Sequence, residues 1–481
     1  MPGRPEDTRA RTNAHARPIG HTELKAVRRH RYPDADRATR PVPQRVRQPF
    51  LENPVRGPGG RGVLLLNPGG PGGPGLDLPV SVGADFPGEV KRQYDLIGFD
   101  PRGVGRSSPV SCGLTGDEQD MERPYKTGTF AKDVEWARTV AAKCQAGEGD
   151  RLRHLTTRNT ARDMDVIRAV LGEKKISYLG FSYGTYLGAV YTQMFPRRTN
   201  RFVLDSAADP ARYGRGMFQA MAERAGPAFT RWTEWTARRH TTYGLGHTPA
   251  QVRKTFWDLI AQADRKPIDY GGTFFTGDSI RAQRAMFSRV QKAATWVAGL
   301  KKAAEGEKPD PPGTPEQVPS PLRPASARDV PSDNETASAW AVLCADTRTS
   351  WPHDSEQYRR DASRDKARYP LSGDFESSIK PCAFWEPGSE PETTVTNRVR
   401  ALILQNEWDP STPPAGRARR RTPAAGPPGR KQVVQLKRCG CVRAPGGATT
   451  RRPSSVVADA GRLKAVQGKA SSGPKGSPRY A

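Results

Sequence analysis

The chain of 481 residues contains no long apolar segment. No run of residues approaches the ~20 apolar positions that a transmembrane helix needs, so no membrane association is expected. The first twenty residues, MPGRPEDTRARTNAHARPIG, have no apolar run, which excludes a signal peptide and a membrane anchor within them. The sequence alone therefore assigns no cellular location.

Cysteine is scarce, with six in the whole chain and no pair spaced as CxxC. That spacing argues against a zinc site, and neither a metal nor any other cofactor is predicted. The cysteines of the central part of the chain are Cys112, Cys144, Cys344 and Cys382. Two interpretations stay open for them, which are two disulfide bonds of an exported protein or four buried free thiols.

Acidic residues are few at both ends of the chain, and this accounts for most of the net charge of +27. Residues 1–50 contain 12 Lys and Arg against 5 Asp and Glu, and residues 411–481 contain 16 against 1. The central residues 51–410 are nearly balanced, with 49 basic and 44 acidic side chains. Because the ends are rich in Arg, Pro and Gly, residues 1–50 and 441–481 are predicted to be disordered.

The basic ends do not have the composition of a nucleic-acid binder. A protein that holds single strands stacks the bases on aromatic side chains, but Tyr480 is the only aromatic residue beyond position 411. No specific nucleic-acid partner is therefore expected.

In the centre of the chain, short apolar runs alternate with helical patterns. The runs suit strands that are buried on both faces, and they are Val63–Leu66, Tyr94–Phe99, Ile176–Leu179 and Phe202–Leu204. Before the third run, apolar residues at spacings of three and four predict a helix over residues 156–172. This alternation predicts an α/β fold with a mostly parallel sheet and helices on both faces.

The alternation stops after Pro210, and the strand pattern returns only at Arg400–Leu404. Residues 211–395 are therefore predicted to be a mainly helical lid inserted before a late strand. Such an insertion lies over the carboxyl ends of the strands, where open α/β sheets bind ligands. The predicted core then has two parts, residues 51–210 and residues 396–440.

A G-x-S-x-G motif follows the third apolar run as Gly180-Phe181-Ser182-Tyr183-Gly184. A serine at a sharp turn between a strand and a helix takes a strained backbone conformation, and small neighbours keep the turn free of clashes. The turn places the Ser182 hydroxyl at a helix N-terminus, where the amide of Tyr183 points at a developing oxyanion. The motif predicts Ser182 as a nucleophile and Tyr183 as an oxyanion donor.

A second oxyanion donor and an acid are expected elsewhere. The loop NPGGPG follows the first apolar run, and its glycines let the backbone approach a ligand with amides turned inward. Gly70 is predicted as the donor, with Gly69 as the alternative. Asp409, on the loop after a late strand, is predicted as the acid, with a turn or helix-capping aspartate as the other interpretation. Asp205, after the run FVL, is the rival acid and is interpreted as a turn residue near the base of the lid.

These segments carry a resemblance to a known family. NPGGPG, YDLIGFDPRGVGRS, GFSYGTYLGAVY, LDSAADP, CAFW and QNEWDPSTP together resemble the tripeptidyl aminopeptidase and proline iminopeptidase branch of the α/β-hydrolases, over about residues 55–415. The resemblance implies an α/β-hydrolase fold and a serine peptidase, often secreted, that removes short peptides or single residues from free N-termini through an acyl-enzyme.

The resemblance also implies a role for individual residues. Carried over position by position, it gives Ser182 as the nucleophile, Asp409 as the triad acid, and Gly70 with Tyr183 as the oxyanion hole. In this family an acidic residue under the lid usually holds the ammonium group of the substrate. The candidates for that residue are Asp346, Glu386 and Glu407.

The histidine that should complete the triad is missing where it is expected. The triad order in this fold is Ser, Asp, His, so the histidine should follow the last strand. The segment KQVVQL, residues 431–436, resembles that strand, but KRCGCVRAPGG follows it. The seven histidines all precede Asp409 and are His15, His21, His30, His154, His240, His247 and His353. The candidates for a substitute base are His353 in the lid and His154, which precedes the helix before the G-x-S-x-G turn; for each, a surface or turn histidine is the alternative.

Without a base, Ser182 is a weak nucleophile at neutral pH, so slow hydrolysis or none is predicted for this chain. One hypothesis joins this gap to the basic ends. In a GC-rich gene a shifted reading frame yields Arg-, Pro-, Gly- and Ala-rich sequence, so residues 1 to about 50 and those after about 413 are interpreted as translated out of frame. Reading the coding DNA in the other two frames for a leader and a Gly-His pair tests this.

Two further classes of function compete with the peptidase. An esterase or lipase of the same fold would prefer N-blocked substrates, and the large lid argues against it. A non-catalytic pseudoenzyme with basic tails would bind without hydrolysis. The expected partner is a peptide with a free N-terminus, and the sequence does not give the oligomeric state.

Overall fold

A computed structural model describes four parts of the chain. They are residues 27–30, 60–307, 330–413 and 433–438. The N-terminal segment 1–50, apart from residues 27–30, and the tail 441–481 lie outside the described residues. The disorder predicted for these two segments stays a prediction.

The core of the fold is a seven-stranded sheet in the order β1-β3-β2-β4-β5-β8-β9. The strands of the described residues are β1 (Val27–His30), β2 (Val63–Asn67), β3 (Asp95–Phe99), β4 (Ile176–Phe181), β5 (Thr199–Asp205), β6 (Ile268–Tyr270), β7 (Thr273–Phe275), β8 (Arg400–Leu404) and β9 (Val433–Arg438). Strands β2, β3, β4, β5 and β8 are mutually parallel, whereas β1 and β9 pair antiparallel at the two edges. The mostly parallel sheet predicted from the apolar runs is confirmed. Strands β6 and β7 form a separate hairpin.

The register of the sheet brings the candidate site together at one edge. Phe181 at the end of β4 pairs with Asp205 at the end of β5, which pairs in turn with Leu404 at the end of β8. On the other side of β4, Gly180 pairs with Asn67. The loops that follow four neighbouring strands therefore leave the sheet at its carboxyl edge.

Thirteen α-helices occur in the described residues. They are α1 (Leu78–Ser81), α2 (Gly88–Gln93), α3 (Phe130–Glu148), α4 (Thr157–Val170), α5 (Tyr183–Met194), α6 (Arg215–Ala237), α7 (His240–Tyr243), α8 (Pro249–Arg265), α9 (Gly277–Ala282), α10 (Val290–Ala304), α11 (Asn334–Asp346), α12 (Ser355–Arg368) and α13 (Gly373–Glu376). The helix predicted over residues 156–172 is α4, with Thr156 as its N-cap. None of these helices is long and apolar enough to span a bilayer.

The buried side chains form two large hydrophobic clusters. The first contains residues of the parallel sheet, of α3 to α5, and of α11 and α12, with Trp340 at 0% exposure. The second is built mainly from α6, α8 and α10 around Trp232 and Phe256. The insertion predicted over residues 211–395 thus contributes to both clusters, since α11 packs with the sheet while α6 to α10 pack with each other. Its function as a lid stays a prediction.

Two disulfide bonds join the central cysteines, Cys112 with Cys144 and Cys344 with Cys382. The first anchors the end of α3, and the second ties α11 to the segment that contains CAFW. Of the two interpretations left open by the sequence, the structure has the disulfides.

Candidate active site

Ser182 lies at the turn between β4 and α5 with φ 52° and ψ −123°. A non-glycine residue in this region carries about 1–3 kcal/mol of backbone strain, so its surroundings must hold it there. The Ser182 amide donates to the carbonyl of Asp205 at 3.1 Å. The Ser182 carbonyl accepts from the amide of Thr185 at 2.9 Å and from its hydroxyl at 2.6 Å. Backbone contacts on both sides thus fix the turn.

The two glycines of the motif have close neighbours where a side chain would be. A Cβ at Gly180 would lie 2.5 Å from the carbonyl oxygen of Gly184, and a Cβ at Gly184 would lie 2.6 Å from Oδ1 of Asn67. Both distances are far below van der Waals contact. The turn therefore needs glycine on each side of Ser182 for the steric reason that the sequence suggested.

The glycine loop lies directly against this turn. Gly69 has φ +99°, and a Cβ on it would lie 2.4 Å from the Phe181 carbonyl oxygen and 3.2 Å from the Tyr183 amide nitrogen. The Gly69 amide is engaged, because it donates to Oδ1 of Asn67 at 3.1 Å. Gly70, which follows with φ +107°, has no such hydrogen bond among the described residues. This difference favours Gly70 over Gly69 as the donor, and the assignment stays a prediction.

Tyr183 is the first residue of α5, where amides have no acceptor within the helix. Its side chain is buried at 4% exposure, and its hydroxyl lies 2.6 Å from Oγ1 of Thr157. Burial raises the pKa of Tyr183 well above its ordinary value. Its ring therefore belongs to the core, and the oxyanion role predicted for its main-chain amide stays a prediction.

Asp409 lies on the loop after β8, which is separated from β4 by β5 alone. Two strand spacings correspond to about 10 Å, a span that one imidazole and two hydrogen bonds bridge. Oδ1 of Asp409 accepts from the amides of Ser411 at 2.9 Å and Thr412 at 3.2 Å. Oδ2 accepts from the Thr412 hydroxyl at 2.8 Å. These bonds fix the carboxylate at the carboxyl edge, and they also suit a turn aspartate, so its role as the acid stays a prediction.

Asp205, the rival acid, is buried at the end of β5. Its carbonyl oxygen accepts the Ser182 amide, and its Oδ1 accepts from the Ser206 hydroxyl at 3.3 Å. These contacts give Asp205 a part in supporting the turn that carries Ser182.

No histidine side chain within the described residues is hydrogen-bonded to Ser182 or Asp409. Nδ1 of His353 lies 2.9 Å from the carbonyl oxygen of Ala383, and Nδ1 of His154 lies 3.1 Å from Oγ of Ser389. Both side chains are thus occupied elsewhere. The residues that follow β9 lie outside the described part.

The three candidates for the amine-binding residue differ in their surroundings. Both carboxylate oxygens of Asp346 accept hydrogen bonds from Thr157 in the interior. Glu386 is exposed and lines a cavity of about 500 Å³ together with His353. Glu407 is exposed on the loop of Asp409. Of the three, Glu407 alone lies on a loop that carries a predicted triad residue.

The loop of Asp409 also contacts the helical insertion. The guanidinium of Arg231, on α6, lies 5.3 Å from the centre of the Trp408 ring. Burial lowers the pKa of Arg231, and the charge of Glu407 opposes that shift. Groups of three or more His, Cys, Asp or Glu that could hold a metal ion are absent from the part of the chain that the structure describes.

Sequence reasoning missed two residues of the site, Asn67 and Thr157. Asn67 is fully buried, and its Oδ1 holds the amide of Gly69. Thr157 connects Asp346 with Tyr183. Asn67 is the first residue of the NPGGPG loop, and its place there was a signal that could have pointed to it. Nothing in the sequence around Thr157 indicates a contact with α5.

Comparison with known proteins gives the following similarities. A family described as alpha/beta hydrolase fold matches residues 62–316. Tripeptidyl aminopeptidases of Streptomyces coelicolor and Streptomyces lividans are 35% identical over 387 residues, which cover 74% of this chain and 66% and 67% of those enzymes. The serine protease Hip1 of Mycobacterium bovis is 38% identical over 155 residues, 31% of this chain and 30% of that protein. The chain thus spans about two thirds of the length of the Streptomyces relatives.

Proposed function

The chain belongs to the α/β hydrolase family, among the serine peptidases related to tripeptidyl aminopeptidases, and from this premise we propose that it is an exo-acting aminopeptidase. It would release short peptides or single residues from free N-termini. The observation that supports this most is the strained Ser182 turn packed against the glycine loop at Gly69. A hydroxyl held beside free amides is the arrangement that acyl transfer requires.

In the proposed reaction, Oγ of Ser182 attacks the scissile carbonyl carbon and loses its proton to a base. The amides of Tyr183 and Gly70 donate to the oxyanion of the tetrahedral intermediate. The C–N bond then breaks, the departing amine takes the proton from the base, and the acyl group remains on Ser182. Water then attacks the ester carbonyl and gives a proton to the base. The bond to Oγ of Ser182 breaks, Oγ takes that proton, and the N-terminal fragment leaves as a carboxylic acid.

The base is the part of this reaction that the described residues do not supply. In a Ser-His-Asp triad the histidine carries the proton and the acid orients the ring. Asp409 would orient such a ring, but no described histidine reaches it. The chain as written is therefore proposed to hydrolyse peptides slowly, by a residual rate that the oxyanion donors and substrate binding provide.

Chromogenic peptide anilides test this proposal. We expect the purified chain to cleave a tripeptidyl p-nitroanilide with a free amine slowly, and added imidazole to raise the rate because it replaces the missing base. The Ser182→Ala variant should lose this activity. Ser108→Ala is the matched control, because Ser108 also has φ 52° and follows β3 instead of β4.

Three outcomes would contradict the proposal in different ways. An unchanged rate in Ser182→Ala would remove the nucleophile. Faster cleavage of N-blocked than of free-amine substrates would replace the aminopeptidase by an esterase-like enzyme. A high rate without imidazole that depends on Ser182 would show that the chain contains its own base.

A further inference from the structure

Helix α11 packs on the glycine loop at its start, and at its end it is linked through Thr157 to the side chain of Tyr183. Near its start, a Cβ at Gly72 would lie 2.4 Å from the carbonyl oxygen of Glu335 and 2.9 Å from Oγ of Ser338. The loop that contains Gly70 is therefore packed on the first turns of α11. At the other end, the last residue of the helix is Asp346.

Asp346 is linked to the nucleophile turn by a chain of hydrogen bonds. The Thr157 amide donates to Oδ1 of Asp346 at 2.7 Å, and the Thr157 hydroxyl donates to Oδ2. The same hydroxyl oxygen lies 2.6 Å from the hydroxyl of Tyr183. While Asp346 is ionised it can only accept, so the single hydrogen of Thr157 goes to the carboxylate and the Tyr183 hydroxyl is the donor to Thr157.

The three residues joined by these hydrogen bonds lie in the interior. Asp346 is 7% exposed, Thr157 is 1% exposed and Tyr183 is 4% exposed. Among the described residues Asp346 has no ion pair, and burial raises its pKa to about 7. Burying a carboxylate without a cation costs free energy, which an apolar residue at this position would avoid. We therefore expect the hydrogen bonds of Asp346 to hold its neighbours in a particular position.

The rings around the carboxylate form one packed group. Tyr213 stacks on Tyr186 with 3.7 Å between ring centres, and its ring lies 6.1 Å from that of Tyr183. The charge of Asp346 acts on all three tyrosines, and Thr157 donates two hydrogen bonds to its carboxylate. Further out, the charges of Arg158 and Glu392 act on Tyr186.

We propose that Asp346 is a positioning residue, which through Thr157 fixes the ring of Tyr183 and so aims the Tyr183 amide at the oxyanion. This proposal rests on the proposed function, since it gives the Tyr183 amide its role there. In this role Asp346 does not touch the reacting atoms. The residue that the sequence offered as a candidate for binding the substrate amine thus acts on the protein itself.

A matched pair of variants at position 157 tests the link. Thr157→Ser keeps the hydroxyl and Thr157→Val removes it at nearly the same volume. With p-nitrophenyl acetate as substrate and imidazole as base, the Ser182-dependent kcat should fall roughly 10- to 100-fold in Thr157→Val, because small displacements of oxyanion donors cost this much. It should stay near the wild-type value in Thr157→Ser, and KM should change in neither.

Asp346→Asn should reduce kcat in the same way, since an amide nitrogen does not accept the bond from the Thr157 hydroxyl. Asp133→Asn is the control, because Asp133 is also a buried carboxylate whose pKa burial raises, but its partners are Arg123 and Thr129 instead of Thr157. This control should keep the wild-type kcat. Equal kcat values in the wild type, Thr157→Val and Asp346→Asn would overturn the proposal.

A second measurement does not depend on catalysis. Near-ultraviolet circular dichroism of the tyrosine group should change between pH 6 and 8 in the wild type and in Asp133→Asn, as Asp346 titrates near its pKa of about 7. Asp346→Asn should abolish that transition. If the transition survives in Asp346→Asn, the link between Asp346 and the tyrosines is contradicted, whether or not esterase activity is found. If the transition is lost but the protein shows no Ser182-dependent hydrolysis, only the proposed function is contradicted.

Discussion

At the scale of single residues, Gly69 shows how close contact rather than flexibility decides a position. Its φ of +99° already disfavours a side chain, but the closer constraint is the carbonyl oxygen of Phe181 at 2.4 Å from the place of a Cβ. Gly113 has φ +63° and nothing within 4 Å of its Cβ position. The two glycines thus separate the conformational cost from the steric one.

We therefore predict unequal effects of alanine at these two positions. Gly113→Ala should lower the free energy of unfolding by about 1 kcal/mol, the cost of an alanine with positive φ. Gly69→Ala should lower it by at least about 2 kcal/mol more, because the loop must move away from β4. Urea denaturation measures both, and equal losses would show that the loop does not press on the turn.

At the scale of elements, α11 holds the site through a covalent anchor as well as through Asp346. The disulfide between Cys344 and Cys382 fixes the C-terminal half of this helix two residues before Asp346. The other disulfide, between Cys112 and Cys144, closes a loop of similar length on α3. The two bonds should therefore be alike in their effect on stability and unlike in their effect on the site.

The double variants Cys344→Ala/Cys382→Ala and Cys112→Ala/Cys144→Ala test this expectation. Each should lose about 4 kcal/mol of unfolding free energy, since loops of 38 and 32 residues are freed in the unfolded chain. At a temperature where both remain folded, only the first should reduce the Ser182-dependent kcat. Equal reductions in both would mean that α11 has no special part in positioning.

At the scale of the whole molecule, Arg284 connects two segments of the helical insertion with the loop before α3. Arg284 follows α9 beside the second cluster and donates to Glu376 on α13 at 2.9 Å. It also donates to Glu122 at 2.7 Å, on the loop before α3. The side chain of Glu376 is 3% exposed and that of Glu122 is 45% exposed. One arginine thus makes a buried ion pair and a surface ion pair at the same junction.

Removing the two charges separately should have very different effects. Glu376→Gln leaves Arg284 without its buried partner and should lower the free energy of unfolding by about 3–5 kcal/mol. Glu122→Gln should lower it by less than about 1 kcal/mol, because water replaces an exposed partner. Thermal unfolding of the two variants beside the wild type measures the difference, and similar small losses would mean that the junction is not held by the buried pair.

The sequence alone determined what depends on neighbours along the chain. Apolar runs marked the parallel strands, and G-x-S-x-G marked a turn whose two glycines the structure shows to be sterically required. The pattern also marked residues 211–395 as an insertion between two strands, because a break in alternation is local information. The roles of Ser182, Asp409, Gly70 and Tyr183 remain predictions that the geometry accommodates.

Tertiary structure decided what depends on residues far apart in sequence. Thr157 and Asp346 are 189 positions apart, so no local pattern joins them, and their hydrogen bond exists only because α11 returns from the insertion to pack on α4. The same return divided the insertion between two clusters and gave Asp346 an internal partner. A chain pattern states which faces are apolar, but which faces meet is settled by the packing of the whole fold.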